Sequence, residues 1–163
     1  METLCVYPGS FDPITLGHVD LIRRAAEIFP KVVVAVLVNP EKTGCFPMAD
    51  RIEMIRDACQ GIQGVEVDTF QGLLVDYMRL KHARIVIRGL RAVSDFESEF
   101  QMAQVNHQIS SPPIETLFLM TSPEYGYISS SVVRQIALFG GDISGLVPPA
   151  ICRRVSLALT PKR

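Results

Sequence analysis

Apolar positions fall along the chain in two alternating rhythms. "TLCVY" (Thr3 to Tyr7) is a short apolar run of strand length, and from Gly17 to Phe29 the residues Ile22, Ala25, Ala26 and Phe29 recur at helical spacing until Pro30 stops them. "VVVAVLV" (Val32 to Val38) is apolar at every position and rich in β-branched residues, the pattern of a strand covered on both faces in a parallel sheet. Strand, helix and strand together make a βαβ unit.

The alternation continues with a helix predicted from about Ala49 to Cys59, a strand at "VEVDTF" (Val65 to Phe70) and a helix from about Leu73 to Lys81, with Leu73 an ordinary core candidate. "RIVIR" (Arg84 to Arg88) is a strand with charged ends, and a helix from about Asp95 to His107 carries Phe96, Phe100 and Ala103 on one face. Pro112-Pro113 breaks the chain before a fifth strand, "TLFLM" (Thr116 to Met120). A helix begins near Ser130 and ends at Gly140-Gly141, and Pro148-Pro149 opens a last helix through Leu159. Five strands separated by helices predict an α/β fold: a doubly wound five-stranded parallel sheet, Rossmann-like, in a single domain over residues 1–163. There is no internal repeat, low-complexity tract or linker.

In an open parallel sheet the ligand sits beyond the carboxyl ends of the strands, at the switch in strand order. The loops after strands one, four and five are therefore the place to look, and the unusual residues gather there: "PGSFDPITLGH", "RGLRAVSDFE" and "TSPEYGYISSS".

Composition narrows the class. With 48% apolar and 20% charged residues the chain is that of a compact soluble protein, not a disordered one. A formal charge of -1 gives no polyanion-binding surface, so nucleic acid is not an expected partner and any anion binding is local. Cys5, Cys45, Cys59 and Cys152 lie far apart with no C-x-x-C pair, which fits reduced thiols in a cytoplasmic protein. No signal-peptide pattern and no apolar run of bilayer length is present, so no membrane association is expected. His82 and His107, even with Cys45 or Cys59, lack the spacing of a closed zinc site and read as surface or helix-end residues; no residue is assigned to a metal.

In the opening loop Pro8, Gly9, Asp12 and Pro13 make a fixed bend, while Ser10 and Phe11 offer backbone N–H groups near the strand end. Gly17 lets the backbone come close to a ligand, and His18 stands in the first turn of a helix, where unsatisfied N–H groups and the positive dipole end favour an anion. The loop is neither G-x-G-x-x-G nor a P-loop. Taken alone, His18 reads more readily as a residue that caps or packs the helix. Its context, "T-x-G-H", resembles the H-x-G-H signature of the nucleotidyltransferase superfamily, which includes class I aminoacyl-tRNA synthetases; the first histidine of that signature is replaced here by Thr15.

The resemblance then sharpens. "YPGSFDPITLGH", "NPEKTGCFPMADR", "IRGLRAVSDFESEF" and "YGYISSSVVR" stand in the order and spacing of bacterial phosphopantetheine adenylyltransferases, over nearly the whole chain. The resemblance implies transfer of AMP from ATP to 4'-phosphopantetheine, giving dephospho-coenzyme A and pyrophosphate, with magnesium. It implies that Ser10 and Phe11 contact ATP, Ser10 also touching the pantetheine phosphate, and that His18 stabilises the transition state. Lys42, otherwise a surface charge, would hold the acceptor phosphate. Pro47 stands where relatives often carry Thr, which alters the start of the following helix.

Arg88 and Arg91 flank a glycine at a strand end, an arrangement that suits phosphate because guanidinium is always charged and forks onto two oxygens. The alternative is an ion pair with Asp95, Glu97 or Glu99. By resemblance Arg88 binds the pantetheine phosphate, while Gly89, Leu90, Arg91 and Glu99 contact ATP. Three serines stand where a helix begins, so hydroxyls and N–H groups converge. The resemblance assigns Tyr125, Gly126, Tyr127, Ile128, Ser129, Ser130 and Ser131 to ATP, places Leu74 against the pantetheine arm, makes His18, Lys42 and Arg91 the catalytic set, and implies a homohexamer with coenzyme A or its dephospho form as product or feedback ligand. The acceptor phosphate is already anionic and needs no base, so positioning and electrostatics carry such a reaction. Two other readings remain open: a related nucleotidyltransferase acting on nicotinate mononucleotide, or on a phosphorylated polyol with CTP, and a nucleotide or coenzyme A sensor without turnover.

Overall fold

The computed structural model describes residues 3–38 and 44–160. Its strands are β1 (Leu4–Gly9), β2 (Lys31–Val38), β3 (Val65–Gln71), β4 (Ile85–Leu90) and β5 (Glu115–Met120). Six helices run between and after them: α1 (Leu16–Ile28), α2 (Met48–Ala58), α3 (Leu74–Leu80), α4 (Val93–Ile109), α5 (Ser130–Leu138) and α6 (Pro149–Leu159). All strand pairs are parallel, in the order β3-β2-β1-β4-β5, so the chain winds one way from β1 to β3 and returns to the other side of β1 with β4. The expected five-stranded doubly wound sheet is present.

Both faces of the sheet are covered, which is why β2 reads as an unbroken apolar run. Val32, Val34 and Val36 face one core together with Cys5 and Tyr7 of β1 and residues of α1, α2, α5 and α6. Val33 and Ala35 face the other with Val6, Val86 and the α3 residues Val75, Tyr77 and Met78.

β1 is paired with β2 from Leu4 to Gly9 but with β4 only at Cys5 and Val6. Beyond Val6 the central strand and β4 part, and this separation opens the sheet at its carboxyl end. It also explains how β1 continues through Pro8, two residues past the run read as a strand. A proline inside a sheet needs an edge-like position, because it has no N–H to give. The Pro8 carbonyl is met by the Arg88 side chain (2.7 Å) rather than by a ladder N–H.

Other boundaries shift for local reasons. α4 starts two residues earlier and ends two later than its pattern suggested, and Phe96 and Phe100, read as its apolar face, are each over 40% exposed and stack on one another at 5.5 Å. Leu73, read as a core residue, is 60% exposed and stands at the N-terminal cap of α3. Pro47 occupies the cap of α2 without a side-chain hydrogen bond, as loss of a hydroxyl residue there would require. His82 is exposed just after α3, and His107 lies in the last turn of α4 with Nδ1 at 3.1 Å from the Ile114 carbonyl. Among the described residues no helix is long and apolar enough to cross a membrane, and all four cysteines are free thiols.

Gly64 joins α2 to β3 at φ +75°, and a Cβ there would sit 2.6 Å from the Pro30 carbonyl oxygen. Both the torsion and the contact oppose a side chain, and the Gly64 carbonyl also accepts from Val32 N–H at 2.8 Å. Gly64→Ala is expected to lower stability by about 1–3 kcal/mol, read as a lower urea midpoint.

Candidate functional site

Where β1 and β4 part, two clefts meet. The first, of about 410 Å³, lies between the opening loop, the end of β4 and the start of α5. The second, of about 840 Å³, lies over β2, β3 and α4. They share Pro8, Gly9, Ser10, Arg88, Glu99 and Arg134, so the wall between them is the end of β1 itself. His18 borders only the first and Leu74 only the second.

His18 is fixed by the start of its own helix. Thr15 caps α1: its hydroxyl accepts from His18 N–H, and its own backbone N–H donates to His18 Nδ1 at 3.0 Å. This reciprocal box satisfies two helix-start donors, with histidine in the place where glutamate or glutamine is usual. The capping and the chemical readings of His18 are thus compatible. Because Nδ1 accepts, the ring proton resides on Nε2. The rings of Phe11 (5.1 Å, edge-on) and Tyr7 (6.4 Å) wall the imidazole. Burial, then the charges of Arg91 and Arg88, push its pKa down to about 4. At neutral pH it is an uncharged donor.

Phe11 adopts φ +45° with its ring only 2% exposed, so it offers the cleft backbone rather than side chain. Gly17 borders the first cleft, and a Cβ there would make only ordinary contact with Tyr125, at 3.5 Å. Gly89 has a packing reason, since a Cβ would lie 2.3 Å from Leu21 Cδ1.

Arg88 projects from β4 across the gap. Its Nε and Nη2 fork onto Glu99 at 2.6 and 2.5 Å, and Nη1 donates to Pro8. Of the three acidic partners considered, Glu99 is the one it takes. Arg91 pairs with Asp95 at 3.3 Å and donates to the Ile128 carbonyl at 3.2 Å. Two guanidinium groups therefore border the first cleft, each oriented by a carboxylate and a main-chain oxygen.

The three serines divide the work at the start of α5. Ser129 caps it, accepting from Val132 N–H, and lies 3.0 Å from the Ser131 hydroxyl, while Ser130 donates to the Pro13 carbonyl at 2.8 Å. All three line the first cleft, as do Tyr125, Ile128, Ser10, Gly89 and Glu99. Leu90 is buried in the core, Tyr127 is 68% exposed, and neither these two nor Gly126 borders the cleft. Lys42 lies outside the described residues.

Arg134 was not singled out by the sequence, although it ends the "YGYISSSVVR" motif. One helical turn beyond Ser130, it donates to the Asp12 carbonyl and lines both clefts. Only its spacing of four from Ser130 would have indicated a shared face. Asp12, expected only to shape the bend of the opening loop, and Arg51 are buried together and border the second cleft. Among the described residues no three His, Cys, Asp or Glu side chains gather as a metal cage.

The cytidylyltransferase-like family matches residues 6–136. A phosphopantetheine adenylyltransferase of Syntrophotalea carbinolica is 55% identical over 150 residues, covering 92% of this chain and 90% of that protein. Another, of Nostoc punctiforme, is 57% identical over 148 residues, covering 91% and 80%. Among solved structures, the Plasmodium falciparum nicotinic acid mononucleotide adenylyltransferase complexed with NaAD superposes with a TM-score of 0.69 over 98% of this chain and 99% of that one, at 15% identity, a likeness of fold.

The depressed pKa of His18 makes a signed prediction. As pH falls from the ordinary histidine value toward about 4, the unfolded chain takes up a proton that the folded ring refuses, so stability contributed by His18 above that range is lost on acidification. The stability of the wild type relative to His18→Asn is therefore expected to fall between about pH 7 and pH 4.5 in urea titrations. A His18 ring resonance that titrates in the folded protein near the ordinary value contradicts this.

Proposed function

The chain belongs to the phosphopantetheine adenylyltransferases of the cytidylyltransferase-like family, and we propose how its joined clefts carry out adenylyl transfer from ATP to 4'-phosphopantetheine. It is a nucleotidyltransferase that makes dephospho-coenzyme A. One observation carries the mechanistic reading: two clefts that share Ser10 and Arg88 at their junction, with the helix-start histidine on one side and Leu74 on the other. Such a pair suits a donor and an acceptor that meet phosphate to phosphate.

ATP occupies the first cleft, with its outer phosphates at Arg91 and the Ser129–Ser131 helix start, where N–H groups and the dipole favour anions. The pantetheine arm lies along Leu74 in the second, its phosphate at Ser10 and Arg88, with Lys42 joining from the segment after β2. An oxygen of that phosphate attacks the α-phosphorus in line, one new P–O bond forms, and the bond to pyrophosphate breaks with its electron pair leaving on the pyrophosphate. No base is needed, since the acceptor is already an anion, and no protein nucleophile intervenes. The Nε2–H of His18 donates to a non-bridging oxygen as negative charge crowds the five-coordinate phosphorus. A neutral imidazole suits this, because it neither needs deprotonation nor loses its proton to the phosphate. Glu99 keeps Arg88 in its fork.

Mg²⁺ would be held mainly by the ATP phosphates and water and would screen their charge, which asks for few protein ligands. The enzyme works in the cytoplasm as a hexamer. Exposed apolar side chains on α4 and β5, including Phe100, Val105, Ile109 and Met120, support burial against a second copy, and coenzyme A is a fitting feedback ligand for the same clefts.

The direct test is to supply ATP, Mg²⁺ and 4'-phosphopantetheine and follow dephospho-coenzyme A by mass and pyrophosphate by release, with nicotinate mononucleotide as a competing acceptor. Product from the first acceptor is expected; binding without turnover, or preference for the second, defeats the reading. His18→Ala is expected to lower kcat by roughly 10²–10³ with a smaller change in either KM, the range for loss of one oxyanion donor. Leu74→Asp, confined to the second cleft, is expected to raise the acceptor KM about tenfold or more and leave the ATP KM near wild type.

A further inference from the structure

Asp12 and Arg51 are the two buried residues of opposite charge among the described residues, and they are placed between the loop after β1 and the segment that leads into α2. Their oxygens and nitrogens are 3.6 Å apart at the nearest, which is long for a direct bond. Each is instead bonded to main chain, Asp12 to the segment before α2 and Arg51 to both that segment and the opening loop. The Asp12 carboxylate accepts from Cys45 N–H at 2.7 Å and from Phe46 N–H at 2.8 Å. The Arg51 guanidinium returns, giving Nε to the Phe46 carbonyl at 2.8 Å and Nη1 to the Ser10 carbonyl at 3.3 Å. Gly44 leaves the space for it: a Cβ there would stand 1.8 Å from Nη2.

We infer that Asp12 and Arg51 are positioning residues that hold Ser10 and the 44–46 turn in one frame and so set the distance between the reacting phosphates. The inference rests on the functional reading above. Burying two charges is costly unless hydrogen bonds compensate, and here the compensation comes from the backbone of two loops that the sheet does not join. The planar fork of arginine is what allows one side chain to reach both the Phe46 and the Ser10 carbonyls, at a fixed separation. A lysine in its place keeps the charge beside Asp12, but its single nitrogen cannot span the separation that Nε and Nη1 cover in a fixed plane. The same opening loop is tied on its other flank by Arg134 and Ser130, so α5 and α2 hold it from two sides.

The test is steady-state kinetics on Arg51→Lys and Asp12→Asn, with folding verified by thermal melting. In folded Arg51→Lys, kcat is expected to fall at least tenfold and the acceptor KM to rise severalfold, while the ATP KM stays within twofold, because the helix start of α5 and Arg91 are untouched. A residue that serves only to neutralise a buried carboxylate would be rescued fully by lysine, so wild-type kinetics in Arg51→Lys overturn the inference. If Arg51→Lys does not fold, the isosteric Asp12→Asn carries the same expectation, and Gly44→Ala, which crowds the guanidinium without altering its charge, must show the same split between kcat and the ATP KM. Equal loss in both KM values with kcat unchanged in any folded variant also overturns it. A wild type inert toward ATP and 4'-phosphopantetheine defeats the functional reading and the inference with it, whereas an active wild type matched by its variants defeats the inference alone.

Discussion

The structure turns on the early end of the pairing between β1 and β4. Two register pairs, at Cys5 and Val6, are all that joins these central strands, and the remaining half of β1 hangs on β2 alone. Hydrogen-bonding groups that a longer ladder would have consumed are then left facing a gap, and side chains fill the need. Arg88 answers the Pro8 carbonyl, Arg51 the Ser10 carbonyl, Arg134 the Asp12 carbonyl and Ser130 the Pro13 carbonyl. Buried or half-buried main chain must find partners, and here most of the partners are cations. A gap lined by guanidinium groups that are already fixed in place favours anions.

Charge is managed locally, not by the protein as a whole. The formal charge of the chain is -1, yet Arg88, Arg91 and Arg134 converge on one crevice. Each is held by a carboxylate or a carbonyl, which limits the entropy lost when an anion arrives. Two of these cations, Arg91 and Arg88, add to burial in lowering the pKa of His18, so its imidazole is neutral at pH 7 and carries its proton on Nε2.

A capping histidine shows how structural and chemical duties can share one side chain. Thr15 takes Nδ1 into the helix start, and that commitment decides which nitrogen carries the proton. The serines of α5 are similar: one caps, one ties down the opening loop, and all three still border the cleft. Beyond the capping Ser129, Ser130 and Ser131 also have partners inside the fold.

Much of this was legible in the linear pattern. Consecutive β-branched residues in β2 required cover on both faces, the helical spacing after Gly17 required a helix, and the motifs "PGSFDPITLGH", "RGLRAVSDFE" and "YGYISSS" located the crevice before any coordinates, because these signals are local and the rule for parallel sheets is general. What the tertiary structure alone decided is which distant groups meet. That Arg88 takes Glu99 rather than Asp95 or Glu97, that Gly44 makes room for Arg51, that Leu73 faces outward while Asp12 is buried, and that Arg134 reaches the Asp12 carbonyl all depend on how the elements pack in three dimensions. Spacing along a chain fixes period and face; it carries no record of how far two loops stand apart once the strands beneath them have separated.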